Sequence, residues 1–458
     1  MSYISLISKR CLPALLLLLS LGLNAQVASN SPYSALGFGD IGTTDHGMMS
    51  GIGNSNISVV DSTILNFYNP ATYCFLASGM PIFSLGESSR FSFYRNGDLD
   101  SYSPVSSISD FTFAVPFRSR FGLALGLKPY SRRGYSFSSV KHVDNDSLLY
   151  AYSGKGSINE AFVGLSAKIL KRDSIGLSVA IGSNIGYLFG TVTNQRSATL
   201  FESGGINIAG GVEQRNIRAK SLHYDLGLYV MKDFGKKHTL TLSSVIDLEQ
   251  DLNIRYWKGL FYAGNIDNPE TYDTLSITGS ADSNSRISSV PALSFGAQYT
   301  LRRLASSDLG HRLNNQWNLY LTYTTSDWSR FSVPFDSVGT RYFSTHRITC
   351  GAEFTPETQV LKTSMYKYFE RMRYRIGGYY YTLPYGQGGE QVSDFGTTFG
   401  VGLPITIKGS LSSMNMGVTL GQRGTGNSAL LRERYVGFNV GLLIAPVGDR
   451  WFRKRIWD

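Results

Sequence analysis

Apolar and small residues alternate one by one through most of this chain. Phe111, Phe113, Val115 and Phe117 alternate with Thr112, Ala114 and Pro116. Phe121, Leu123, Leu125 and Leu127 alternate with Gly122, Ala124, Gly126 and Lys128. Near the end, Val436, Phe438, Val440 and Leu442 alternate with Gly437, Asn439 and Gly441. Side chains on a strand point to opposite faces with period two, so each segment has one apolar face and one small or polar face. In a soluble sandwich the apolar faces meet in a core. In an outer-membrane barrel they face lipid, and the other faces line the lumen.

The N-terminus and the composition choose between these. Lys9 and Arg10 precede the apolar run Leu12–Leu23, and Leu23-Asn24-Ala25 offers a small-residue cleavage site before Gln26. Residues 1–25 therefore read as a secretory signal peptide. Cys11 lies before the apolar run, which excludes a lipoprotein signal. Beyond it no uninterrupted apolar run is long enough for a helical span. The chain still carries 28 Tyr, 26 Phe and 49 Gly, and only 17% of its residues are charged. Exported, aromatic-rich, glycine-rich and low in charge is the profile of an all-β transmembrane β-barrel.

Fourteen alternating segments follow one another, near 81–95, 109–117, 121–129, 158–170, 175–188, 221–232, 238–248, 290–301, 316–325, 343–354, 373–384, 394–407, 412–423 and 432–446. An antiparallel barrel of about fourteen strands over 81–446 is the expected fold. The links between segments are of two kinds. Arg118–Arg120, Lys171–Ser174, Asp233–Lys237 and Lys408–Leu411 are tight turns, whereas 130–157, 189–220, 249–289 and 326–342 read as long links. Bacterial barrels have short periplasmic turns and longer outer loops, so the tight turns go to the periplasm and both termini with them. Thr355-Pro356-Glu357 reads as a helix start in the longer periplasmic link, followed by a stripe of Val360, Leu361, Met365, Tyr368 and Phe369.

Residues 26–80 lack clean alternation. They hold Ser31-Pro32-Tyr33-Ser34, six glycines between Gly37 and Gly53, and Asn69-Pro70-Ala71. Glycine at this density means turns and close backbone approach.

Charge is sided. The formal balance is +10, two of which leave with the signal peptide. The proposed periplasmic links and the tail 447–458 carry 19 Lys or Arg against 7 Asp or Glu. Arg450, Arg453, Lys454 and Arg455 sit close together in that tail. Such a patch serves either as a solvated rim beside anionic lipid headgroups or as a dock for a periplasmic partner. Nucleic acid is excluded as the explanation, because the chain is exported and shows no nucleic-acid module.

No catalytic constellation stands out, and the sequence reads as a non-enzyme without cofactor or metal. The six His residues have no metal-ligand spacing, and there is no zinc-spaced Cys pair, nucleophile elbow or P-loop. His223 and Asp225 share one strand face, as polar lumen wall or as a catalytic pair. Tyr379, Tyr380 and Tyr381 must alternate between lipid and lumen, as interfacial girdle or as ligand-stacking rings. Cys74 and Cys350 are either a disulfide or two packed thiols.

The ordered motifs Ser31-Pro32-Tyr33-Ser34, Gly37-Phe38-Gly39-Asp40, Met48-Met49-Ser50-Gly51-Ile52-Gly53 and Asn66-Phe67-Tyr68-Asn69-Pro70-Ala71 resemble the start of the FadL/TodX-like outer-membrane family. Gly400-Val401-Gly402-Leu403-Pro404, Gly421-Gln422-Arg423-Gly424-Thr425 and Asp449-Arg450-Trp451-Phe452 resemble its later signposts. The resemblance implies a Gram-negative outer membrane and a fourteen-stranded barrel with an N-terminal hatch, residues 26–80, folded into the lumen. It sets Asn69, Pro70 and Ala71 at the end of that hatch, as gating candidates or as a structural turn. Proteins of this kind divide in function. Some pass hydrophobic small molecules into the membrane or periplasm. Others are accessory barrels of protein secretion, such as the PorV and Plug components of the type IX translocon. The first role implies a hydrophobic ligand and an apolar pocket above the hatch. The second implies a translocon partner, with Arg450, Arg453, Lys454 and Arg455 as docking candidates.

Overall fold

The computed structural model describes residues 31–445, apart from 38, 42–45, 78–79, 97–98, 118–119, 144–145, 202–206, 265–267, 304–313, 332–341, 358–365, 388–389, 406–410 and 425–430. The proposed signal peptide and the basic tail with Arg450, Arg453, Lys454 and Arg455 lie outside the described residues.

Each alternating segment is a strand. They are β1 (Ile82–Asn96), β2 (Leu99–Phe117), β3 (Phe121–Val143), β4 (Asp146–Arg172), β5 (Leu177–Phe201) and β6 (Asn207–Phe234). Then come β7 (His238–Asp247 and Asp251–Ala263) and β8 (Tyr272–Ser288 and Ala292–Arg303), each interrupted once. The circuit ends with β9 (Asn315–Ser326), β10 (Thr345–Thr355), β11 (Arg373–Gln387), β12 (Glu390–Pro404), β13 (Ser413–Arg423) and β14 (Arg432–Ile444). Both halves of β7 lie along β6, so the two pieces form one barrel strand, and the halves of β8 follow them. Strand β14 pairs with β1 from Arg432↔Arg95 to Ile444↔Phe83 and closes the ring. Among the described residues, fourteen antiparallel strands pair in a ring that closes on itself, as a bilayer requires.

The apolar faces look outward. Leu125, Leu165, Ile181, Leu226, Leu242, Leu319, Ile376 and Phe438 are all exposed on the outer wall, while Ala124, Ser166, Ala180, Asp225, Thr241, Tyr320, Arg375 and Asn439 are buried on the inner one. No helix among the described residues is long and apolar enough to cross a membrane. The wall does the crossing, through this lipid-facing band.

Three of the long links are corrected by the structure. The β3–β4 ladder continues to Val143↔Asp146, β5–β6 to Phe201↔Asn207, and β7–β8 to Ala263↔Tyr272. Residues 130–157, 189–220 and 249–289 are mostly strand, not loop. Beyond the lipid the outer face carries polar residues such as Thr191, Arg218 and Lys220, while Val192, Ile217 and Ile254 are buried on the inner one, so the outward hydrophobic alternation fades. The ladder persists because backbone groups pair regardless of side chain. The wall is consequently lopsided, with 28 residues in β6 and 11 in β13. The helix start at Thr355 is also corrected. Thr355 is the last residue of β10, paired with Gln316; Tyr368 and Phe369 of the expected stripe lie in the helix Tyr366–Glu370, and Val360, Leu361 and Met365 lie outside the described residues.

The N-terminal segment lies inside the ring and travels around its inner face. Gly47 meets Gly441 of β14, Ser50 meets Gly417 of β13, Gly51 meets Gly400 of β12, Ile52 and Gly53 meet Gly351 and Gly377 of β10 and β11, and Ser58 meets Gly296 of β8. Pro70 and Ala71 meet Gly182 and Gly227 of β5 and β6, and Tyr73 meets Gly122 of β3 and Gly164 of β4. Close approach of backbone to backbone requires glycine here, since a methyl group on Gly377 or Gly182 would collide with main-chain atoms of the segment. Inside this circuit Met48, Met49, Ile52, Val59, Ile64, Leu65, Phe67, Tyr73 and Leu76 pack into an apolar core. Each such burial is worth roughly 1.5–3 kcal/mol.

One seam of the wall is open. Strands β2 and β3 pair only from Phe111↔Leu127 to Phe117↔Phe121. Beyond this, β2 continues along β1 and β3 along β4, each without the other. Ser109 is bulged out of the β1–β2 register and Tyr130 out of the β3–β4 register at the same height. Pro129, beside Tyr130, has no N–H to donate, and a bulge turns the strand away from its partner. The freed edge of β3 is taken from inside by Asp40–Ile41, which pairs with Arg132 and Ser131. Arg132 reaches across the split to the Ile108 carbonyl at 2.9 Å.

Candidate functional site

The segment packs against wall glycines from Gly122 to Gly441, and the cavities beside it on the side of the tall strands are the candidate site. One cavity of about 230 Å³ is floored by Ile57, Phe67 and Tyr68 and walled by Lys128, Glu160, His223, Asp225 and Asp247. Ser109, Pro129 and Tyr130 line it as well, so it abuts the β2–β3 split. A neighbouring cavity of about 80 Å³ is lined by Asp40, Arg90, Tyr379, Tyr381, Asp394, Arg423 and Tyr435. The two share Ile41, Asn54 and Arg347.

His223 and Asp225 do share the inner face of β6, as period two requires. They do not bond to each other. His223 Nδ1 lies 3.3 Å from Glu160 Oε1 on β4, and Asp225 Oδ2 accepts from Asn184 Nδ2 at 3.1 Å. Glu160 Oε2 is 3.5 Å from the Lys128 ammonium. Glu160 joins from a different strand, so spacing along the chain gave no sign of it. Directly across the ladder from Asp225 stands Asp247.

A second cluster fastens the start of the segment. Arg423 donates to Asp40 and to Asp394, both at 3.0 Å. Tyr435 donates to Asp394 at 2.7 Å and Tyr385 to Asp40 at 3.3 Å. Glu433 accepts from Ser31 at 2.7 Å and from Ser92 at 2.8 Å. Tyr379 and Tyr381 face inward and Tyr380 outward, the alternation expected of the three tyrosines. Tyr379 bonds Tyr435, and the Arg347 guanidinium lies over the Tyr381 ring. Burial pushes the Tyr33 phenol, which bonds the Leu431 carbonyl, up to about 12, so it stays a neutral donor.

Asn69 caps the short 3-10 helix Pro70–Phe75, its side-chain oxygen accepting from the Ala71 amide at 3.1 Å. Its amide group donates to the Ile57 carbonyl at 2.8 Å, tying two parts of the segment together. Pro70 sits at the first helical position, where a missing N–H costs nothing. Three residues after Pro70, the Tyr73 hydroxyl donates to Asn184 at 2.9 Å. Burial drives its pKa well up, which keeps it a donor. Below the segment, Asp61 pairs with Arg373 at 2.7 Å. Burial alone would raise the Asp61 carboxyl, but Arg373 and the Thr63 hydrogen bonds outweigh it and hold the carboxyl below its ordinary value.

Cys74 is buried in the lumen and Cys350 is exposed on the opposite face of the wall, both as free thiols. At the tight-turn end, Arg120, Lys171, Arg172, Lys236, Lys237 and Arg303 form an exposed basic rim.

A closed fourteen-stranded, membrane-spanning barrel with its own N-terminal chain against the inner wall is the architecture of FadL-like outer-membrane barrels. The solved structures agree. The P. putida toluene transporter TodX superimposes with a TM-score of 0.53 at 13% identity, over 88% of this chain and 98% of that one. The Ralstonia pickettii toluene transporter TbuX gives 0.52 at 11%, over 88% and 98%. A Pseudomonas aeruginosa FadL homologue gives 0.50 at 12%, over 89% and 99%. At these identities the likeness is one of fold. No curated protein matches the chain in sequence. The chain belongs to the BamG family, whose model matches residues 7–458.

Proposed function

We propose that this protein passes small molecules with an apolar body through the chamber above the N-terminal segment and out sideways through the β2–β3 split, with the segment acting as the hatch. The single observation that carries this reading is the meeting of the 230 Å³ cavity with the split. The toluene transporters named above share the fold and support the hydrophobic class of cargo. The chamber itself differs from a purely apolar pocket, because its floor is apolar and its wall is charged. A ligand with a polar or cationic group at one end of an apolar body fits both. In this reading the tight-turn end faces the periplasm, and Asn69, Pro70 and Ala71 hold the hatch against β5 and β6. Uptake by liposomes containing the purified barrel tests it, with a panel of hydrophobic and amphipathic probes. Arg132→Ala, which unlatches the split, should raise the uptake several-fold. Uptake no faster with the barrel than without it, across the panel, overturns the reading.

A second reading rests on the exposed basic rim. A barrel that docks by this end on a secretion translocon, of the type IX kind or another, needs anion-attracting charge there and no open lumen. Gentle extraction from native membranes should then recover a much larger barrel with it. Charge reversal at Arg450, Arg453, Lys454 and Arg455 should release that partner and leave uptake unchanged. Solitary migration after gentle extraction removes this reading.

A further inference from the structure

We propose that Glu160, His223 and Asp225 bind a single divalent cation of the zinc class in the luminal wall, and that the bound ion holds the N-terminal segment in its seat.

The three residues come from two non-adjacent strands and offer ligand atoms that all lie within 4.8 Å of one another. All three are buried. Ligands on one zinc ion stand about 2.0–2.2 Å from it, so the ion needs to draw these groups together only slightly. The Oδ1 oxygen of Asp225 is sealed from solvent and accepts no hydrogen bond from any of the described residues. Asp225 itself is only 5% exposed. A carboxyl oxygen left like this is costly, and buried polar atoms in folded proteins nearly always have a partner.

Charge points the same way. Asp225 faces Asp247 directly across the β6–β7 ladder, and both line the cavity. Like charges directly opposite on a sheet repel. Lys128 neutralises one carboxylate of the three. With His223 neutral, as a ligand must be, and the three carboxyls ionised, Glu160, Asp225, Asp247 and Lys128 sum to a net charge of −2, which a divalent ion cancels. One imidazole with two carboxylates favours zinc over calcium or magnesium, which prefer oxygen alone. The adjoining cavity leaves room for water in the remaining positions.

The link to the segment is a chain of two hydrogen bonds. Tyr73 donates to Asn184, and Asn184 donates to the second Asp225 oxygen. Groups that orient a metal ligand in this way commonly change affinity about 10–100-fold when removed. An ion on Asp225 Oδ1 fixes that carboxylate, and through Asn184 it fixes Tyr73.

The test uses the full barrel, purified in detergent and stripped with a chelator. Calorimetry with Zn²⁺ and absorption with Co²⁺ should show one saturable site. His223→Ala and Asp225→Asn should each weaken it by at least about tenfold, and Asn184→Ala by about 10–100-fold. Asp225→Asn is isosteric and relieves the repulsion, and heat-modifiable gel mobility checks that each variant is folded. Zn²⁺ should also slow hydrogen exchange at residues 69–73 in the wild type and not in Asp225→Asn. Absence of saturable binding, equal binding by the folded variants, or binding of an alkylammonium but not of Zn²⁺ overturns the proposal. None of these readouts depends on transport.

Discussion

Two clusters of buried charge meet the N-terminal segment, and they are built on opposite terms. Around Arg423, both oxygens of Asp394 and both of Glu433 have donors, and Asp40 accepts from Arg423 and Tyr385. Around Glu160, the Lys128 ammonium pairs with one carboxylate of three, and among the described residues an oxygen of Asp225 has no donor. The first arrangement is complete within the protein and locks chain to wall. The second is incomplete and asks for something from outside. The difference separates a fastening from a site more sharply than exposure does, since both are buried.

The comparison breaks most severely at Arg423. Arg423→Ala strands Asp40, Asp394 and Glu433 without their cation, and should cost about 3–5 kcal/mol in urea titrations of the folded barrel. A wild-type midpoint in this variant would show that the cluster is no lock. Bulk on the wall should act next. Gly182→Leu or Gly377→Val pushes into main-chain atoms of the segment, and should cost about 1–3 kcal/mol. The same substitutions should expose residues 47–73 to protease, whereas equal protection would mean that the seat can yield. At the other cluster the sign reverses. Without metal, Asp225→Asn should stabilise the barrel by about 0.2–1 kcal/mol, because it removes a like-charge pair. Destabilisation there would place Asp225 in the same class as Asp394.

The smallest effect is at Asp61. Its carboxyl is held below the ordinary value by Arg373 and Thr63, so the pairing contributes fully above the unfolded carboxyl value of about 3.9. It is lost as pH falls through the lower folded value. Hydrogen-exchange protection around residues 61–64 should be flat from pH 7 to about 4 and drop below that. Asp61→Asn should cost at most about 1 kcal/mol and remove the acid dependence. A drop already at pH 6 would implicate another group.

The wall was legible in the sequence because lipid imposes a strict alternation. Every segment such as Phe121–Leu127 or Val436–Leu442 falls in a strand with its apolar set outward. The same logic hid the upper half of the wall. Residues such as Ser136, Thr193 and Asn216 stand in paired strands that face no lipid, and nothing in their polarity marks them as strand. The inward facing of His223 and Asp225 was readable from period two. Their neighbours Glu160 and Asp247 were not, because ladder register brings them together from other strands. The seat of the segment lay half in view. Glycines were conspicuous at positions 47–53, but the matching ones at 182, 296, 351 and 400 looked like ordinary small lumen residues. The split left only Pro129 as a trace.

The circuit of the N-terminal segment also sets an order of events. Ser31 bonds Glu433, and Gly47 rests on Gly441, so the earliest described residues close against the last strand. Contacts of such sequence separation come late in folding, since the chain between them must be placed first. A half-made ring offers no complete seat. Until β14 meets β1, Met48, Met49, Ile52 and Leu65 have nowhere to pack, and the growing barrel carries a sticky, unhoused strip of chain. Protease resistance of that strip is therefore a clock that reads the moment of closure.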